Sequence, residues 1–386
     1  MTTPFSGSNT THYYVSEVTP GITPTSPVWT TLRNTGGIPA LTKDALISNE
    51  LNGSRETTSV RTGGKQVQGE FAVELSQSSQ DELIINAMTT SWVAGVSQTG
   101  VAITVNNAAK TFTRSSGSFV SDGVLVGDLI YFEDLTGNNA KPFTVTAVTA
   151  LVITGGAITI TLTGEAVTTD YATADKAGTG SLCKSVSVLT WFKGKCGTTD
   201  KYLITTGLEF TGFSFEVAVN AQVTGSFPFI ARDQNVLSAP PAGSTFNAEL
   251  TTRPYAGVDG KILVENAVQA LFTTATITND NAASAQFELG SDSTSFVERG
   301  NATNTISVSA FMADTVLLER FINETETGFT VIVAGIDGAM GLSLAKTFIT
   351  AASPEIGGPT SITQTVEATA TGTSLQSSIV VQRLTY

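Results

Sequence analysis

Between Val67 and Met88 the chain reads VQGEFAVELSQSSQDELIINAM, and its period changes part-way along. No other feature limits the fold as much. Phe71, Val73 and Leu75 alternate with Glu70, Ala72 and Glu74, the pattern of a half-buried strand. Leu83, Ile84, Ala87 and Met88 then fall at i, i+1, i+4 and i+5, the apolar stripe of an amphipathic helix. Ser78 or Ser79 is placed to cap the first turn, where Asp81 and Glu82 suit the positive end of the helix dipole. A chain with almost no other helical pattern switches from strand to helix here, and again near residue 310.

The second switch belongs to a longer recurrence. NELNGSRETTSVRTGGKQVQGEFAVELS, from Asn49, and FELGSDSTSFVERGNATNTISVSAF, from Phe287, each open on Glu-Leu and a Gly/Ser turn. Each then reaches a glycine (Gly63, Gly300) and an alternating strand. Phe71 and Val73 match Val308 and Ala310, and the helix stripe returns as Leu317, Leu318, Phe321 and Ile322, with Asp314 placed as its cap. The segments from Leu189 and from Phe329 repeat a hairpin, a further strand, a Gly-containing turn and two alternating strands. The order of elements predicts two copies of one unit. The first copy, residues 1–95 and 181–234, is interrupted by a small all-β domain over 96–180. A linker (235–250) leads to the second copy over 251–386.

Gly and Thr punctuate many short Val/Ile/Phe runs, which makes the fold mainly β. The net charge is −13, so the chain cannot grip nucleic acid through phosphates, a binding mode driven by Lys and Arg. Two cysteines, Cys183 and Cys196, give no disulfide framework and suit a reducing compartment. No basic region followed by an apolar stretch opens the sequence, and ALVITGGAITITL is too short and polar to span a bilayer, so a protein soluble when made and not exported is expected.

Catalytic chemistry has little to work with. The single histidine, His12, falls in a polar leader expected to be flexible, which leaves no triad. Zinc lacks ligands. Gly64-Lys65 is followed by Gln66, which breaks the phosphate-loop pattern, and VAGIDGAMG reads as a hairpin turn. Asp128, Glu133 and Asp134, or Asn279, Asp280 and Asn281, are calcium candidates without a full loop pattern, more simply solvated acidic loops. No enzyme, cofactor or metal is expected.

The run LTKDALISNELNGSRETTSVRTGGKQVQGEFAVELSQSSQDELIINAM resembles the tail tube proteins of long-tailed bacteriophages. Arg61, Gly63, Val67, Gly69, Phe71, Glu74 and Leu75 stand in that family's order, and TGLEFTGFSFEVAVNAQVTGSFPFIARD is similar to its closing strands. The resemblance covers Val28–Trp92 and Ser181–Asp233, Leu271–Leu384 more weakly, and not the inserted segment. It implies a β-sandwich or barrel unit with one flanking helix. Six units form a ring and rings stack into a tube, so two fused units imply a homotrimer with pseudo-sixfold symmetry.

Within that implied architecture, Leu83, Ile84, Met88, Leu317, Leu318 and Phe321 are the helix residues that cover the sheet. The polar strand positions Glu70, Glu74, Glu216 and Glu367 become candidates for an acidic lumen wall, through which genomic DNA passes without specific binding. Arg55, Arg61 and Lys65, in the stretch Asn52–Lys65, become candidate contacts to the next ring. The implied partners are the protein itself, the tail terminator, the baseplate and the tape-measure protein, in a tail assembled in the host cytoplasm. The alternatives are a secreted or surface β-repeat adhesion module, or another tail component such as a terminator or baseplate hub.

Overall fold

The computed structural model describes residues 4–50, 56–137, 139, 141–156, 162–196, 198–265, 267–269, 271–358, 361–373 and 376–386. The chain opens with β1 (Thr10–Ser16), β2 (Val28–Leu32), β3 (Ala40–Ile47) and β4 (Val60–Glu74), then helix α1 (Asp81–Ala87). The switch falls where the change of period puts it, but its cap differs from expectation. The N-cap is Gln80, with no side-chain cap bond, and Ser78 lies in the left-handed region at φ 60°. Ser79 is engaged elsewhere: its hydroxyl and that of Ser76 bond each other and Arg33.

After α1, β5 (Ser97–Asn106), β6 (Thr111–Arg114), β7 (Leu129–Phe132), β8 (Phe143–Val148), β9 (Val152–Gly156) and β10 (Ala166–Thr173) close into a barrel. It has its own core, in which Phe112 stacks on Phe132 and Phe143 at 5.2 and 4.4 Å. The pattern there predicted no helix, yet Phe119–Asp122 makes one turn, α2. Ser118 caps it by accepting from Ser121 N–H, and Gly123 ends it at φ 98°.

The chain continues with β11 (Asp175–Gly178), β12 (Val186–Phe192), β13 (Lys201–Phe210), β14 (Gly212–Ala218), β15 (Thr224–Ala231), β16 (Asp233–Leu237) and β17 (Thr245–Phe246). Then come β18 (Gly260–Val264), β19 (Ala267–Gln269), β20 (Phe272–Asp280), the hairpin β21–β22 (Ser284–Gln286, Phe296–Glu298) and β23 (Thr303–Phe311). Helix α3 (Val316–Ile322), β24 (Thr327–Ala334), β25 (Gly338–Glu355), β26 (Thr363–Ala370) and β27 (Val380–Thr385) complete it.

One long antiparallel sheet runs β3–β4–β15–β14–β20–β23–β26–β25. Its first four strands and its last four follow each other in the same order. The backing strands repeat too: β1–β12–β13–β16 behind the first set, β18–β24–β25–β27 behind the second. β25 serves both layers in a single 18-residue strand, and β13 and β14 cover the same path with a break at Thr211. Phe71 faces Phe227 across β4–β15, as Val308 faces Val366 across β23–β26.

Between the layers lies one continuous apolar core. Phe71, Phe213, Phe215, Phe227, Ile277, Ile306, Val308 and Val366 line it from the long sheet, and Val188, Leu208, Val331 and Leu342 from the backing strands. Each such side chain contributes roughly 2 kcal/mol by leaving water. The helices close it at one end. Leu83, Ile84 and Met88 are fully buried, whereas Leu317, Leu318 and Phe321 pack against the core only half-buried, and Ile322 is 67% exposed.

The barrel is clamped onto the backing layer of the second set. Gln382 accepts from Leu129 N–H and donates to Gly127 O, and Tyr131 stacks on Tyr386 at 4.3 Å.

Candidate functional site

The face of the long sheet turned away from the core is polar from β4 through β26. Directly opposed residues in an antiparallel ladder share a face, so the pairing defines rows. One row runs Glu74, Thr224, Glu216, Thr276, Ser307, Glu367. The adjoining rows are Ala72, Ser226, Ser214, Thr278, Thr305, Thr369 on one side and Ala218, Thr274, Ser309, Thr365, Ser353 on the other. Glu70 shares this face two strand repeats along β4 from Glu74, roughly 13 Å away.

Glu70, Glu216 and Glu367 are exposed and Glu74 is half-buried. Neighbouring hydroxyls approach each other across strands, at 3.3 Å for Ser214–Thr278 and for Ser309–Thr365. These rows hold no Lys or Arg. All four glutamates picked from the sequence therefore stand on one face, and three stand in a single row. The sequence reading did not single out Thr224, Thr276 and Ser307 between them. The alternation in FTTATITND and TNTISVSAF was the available signal.

The sheet ends in two open edges. All eight residues of β3 are exposed, and among the described residues β3 pairs with β4 alone. At the other end β25, beyond Ile349, pairs with β26 on one side only. Long unpaired edges template pairing with another strand.

The basic stretch before β4 is less of a loop than its sequence suggests, because the β3–β4 ladder extends out to Ile47 and Val60. Arg61 stands exposed within it, opposite Leu46. Lys65 is held inside the chain by Asp292 at 3.0 Å and Asp233 at 3.9 Å, and its N–H donates to Asp292 O. Arg55 lies outside the described residues. Three of the six calcium candidates are used structurally: Asp128 pairs with Lys176, Asn279 with Asn304, and Asn281 donates to Ala87 O. Among the described residues no three His, Cys, Asp or Glu side chains cluster to hold a metal, and no helix is long and apolar enough to cross a membrane.

His12 overturns the expectation of a flexible leader. It is buried in β1, its Nδ1 sits 2.9 Å from Thr190 Oγ1, and its ring packs 5.7 Å from Phe71. Burial lowers its pKa to about 4. The folded chain thus keeps His12 neutral while the unfolded chain protonates it below about pH 6.5. Its contribution to stability is complete above that pH and is lost as pH falls toward 4. Between pH 7 and 4.5 the parent should lose about 2–3 kcal/mol more than His12→Asn, measured by urea unfolding. Equal losses would place His12 in water.

Compared with known proteins, a family model described as phage tail tube protein matches residues 7–370. No curated protein matches the chain.

Proposed function

The chain belongs to the phage tail tube protein family, and on that premise we propose that three copies close into a ring of pseudo-sixfold symmetry, stacked into a tube that carries DNA. As a member it is a structural component of the virion tail and not an enzyme, associating with itself and with other tail components. The finer proposal is two tandem tube units, residues 1–95 with 181–234 and residues 251–386. A barrel over 96–180 is inserted in the first, and 235–250 link the two.

The observation that carries the ring is the β14–β20 seam. There the two strand sets join edge to edge, from Gly212 opposite Asp280 to Ala218 opposite Thr274. The same joint is available at the free ends, where β25 of one copy meets β3 of the next. Ser353 faces Thr365 as Ser214 faces Ser226, and Ala40 faces Gln68 as Thr278 faces Thr305. Carrying the seam's register over sets Ser353 opposite Ala40 and Ala351 opposite Thr42. Pro354 and Pro39 then stand opposite each other, so the two donors they lack fall in a single bonding pair. Closure abolishes both edges and makes a barrel of about two dozen strands.

With the open face inward, the bore is lined by Glu70, Glu74, Glu216 and Glu367 among hydroxyls. DNA carries one charge per ~1.7 Å, and an acidic wall repels it over a Debye length of about 8 Å, so it slides in a water layer. The tail terminator, baseplate and tape-measure proteins are the further partners, met in the host cytoplasm during assembly.

Negative-stain microscopy of the purified protein tests this reading. Threefold rings or tubes support it. A population of single molecules would favour an adhesion module instead. Charge reversal in Arg61→Glu should leave rings soluble and stop polymerisation; tubes of normal length from that variant would remove Arg61 from the inter-ring contact.

A further inference from the structure

Within the chain, the first strand set is plugged at the ends of β4 and β15 by the segment that opens the second. Tyr255 N–H donates to Leu75 O and Val223 N–H donates to Tyr255 O, both at 2.8 Å. Pro254 bridges Ser76 and Ala256 bridges Gln222. The Tyr255 ring is 2% exposed, with its hydroxyl on Gln77 Oε1. A 3-10 turn, Gly257–Asp259, leads from the plug into β18.

The same construction stands at the front of the chain with nothing to plug. Pro4-Phe5-Ser6 precedes a 3-10 turn, Gly7–Asn9, that leads into β1. Ser6 lies at φ −116°, ψ 137° and Ala256 at φ −119°, ψ 148°. Asn9 N–H donates to Ser6 O at 3.0 Å, as Asp259 N–H does to Ala256 O. Phe5, however, is 42% exposed.

The glycines make the point independently. A Cβ at Gly257 would lie 1.9 Å from Ala218 O, so the first strand set forbids a side chain there. At Gly7 a Cβ would meet nothing within 4 Å, and its φ is not positive, so nothing among the described residues requires glycine.

The receiving site has its counterpart in the second set. Met312 N–H donates to Ile362 O at 2.9 Å, as Leu75 N–H donates to Val223 O. Met312 O and Ile362 N–H have no hydrogen-bond partner among the described residues. Beside them an open groove is lined by Phe272, Ala310, Leu317 and Arg320. It explains why α3 is half-exposed where α1 is buried.

We propose that Pro4-Phe5-Ser6 of each chain plugs this groove on the neighbouring copy, Phe5 pairing with Met312 and Ile362 as Tyr255 pairs with Leu75 and Val223. The inference rests on the ring reading above. Since Ala256 stands opposite Gln222, Ser6 stands opposite Ser361 of the neighbour, within the ~5.5 Å Cα separation of a disulfide.

The test is Ser6→Cys with Ser361→Cys, in a Cys183→Ser, Cys196→Ser background, oxidised after assembly. The expected product is a covalent trimer that runs as monomer on reduction. Rings seen by microscopy whose chains stay unlinked, or link only within themselves, overturn the plug and leave the ring standing. A Cys-free parent that forms no rings sinks both. Gly7→Leu reads the same contact without cysteine: its monomer unfolds at the parent's midpoint, while ring yield falls at least about tenfold. Unchanged ring yield in Gly7→Leu overturns the plug.

Discussion

Leu41→Pro should leave a folded monomer and abolish rings. The outcome depends on which way each N–H of β3 faces. Lys65 N–H is taken by Asp292 O and Ala72 N–H by Gly36 O, on opposite sides of β4. Even-numbered residues of β4 therefore face β3, and the bonding pairs are Ala40–Gln68 and Thr42–Gln66. Leu41, opposite Val67, turns its N–H to the free edge. A proline there takes nothing from the β3–β4 ladder but removes a donor from the proposed joint and sets its ring in the neighbour's way. Velocity sedimentation should show ring yield reduced more than about tenfold with circular dichroism unchanged. Thr42→Pro is the contrasting variant, since it strikes a bond inside the monomer and should lower monomer stability as well. Rings of Leu41→Pro at parental yield would show that closure uses another edge.

The second large effect concerns transport. Glu216→Lys with Glu367→Lys exchanges two anions of the central row for two cations in every copy, without touching an edge or the core. Tails should assemble to normal length. Lysines facing the bore would trap phosphates, and each such contact makes binding fall with salt at a log–log slope near −0.9. Ejection should therefore slow by about tenfold or more in low salt and recover as salt rises. Ejection that is unchanged, and indifferent to salt, would mean these residues face outside solvent. The rows would then need the opposite orientation in the tube.

Much of this architecture was legible in the residues. The alternation of Phe71, Val73 and Leu75 with Glu70, Ala72 and Glu74, and of Val366 and Ala368 with Thr365 and Glu367, separates the core face from the polar face as the structure does. The mainly β fold and the strand-to-helix switch followed from such local order, and the family from the resemblance of the run through Arg61, Gly63, Val67, Gly69 and Phe71. The cap of α1 did not, because the hydroxyls of Ser76 and Ser79 answer to Arg33, which is distant in sequence. Nor did the position of His12, whose burial depends on Thr190 and Phe71. Lys65 reads as a free cation until the β21–β22 hairpin brings Asp292 to it.

By itself, then, the order of residues determined which side chains share a face, where strand becomes helix, and that this happens twice. Periodicity carries that information because it depends on neighbours two to four positions apart. The tertiary structure alone decided that β14 pairs with β20, which edges are left open, and that Tyr255 fills a groove whose counterpart beside α3 stands open. Those facts depend on contacts between residues tens to hundreds of positions apart, where no local period reaches.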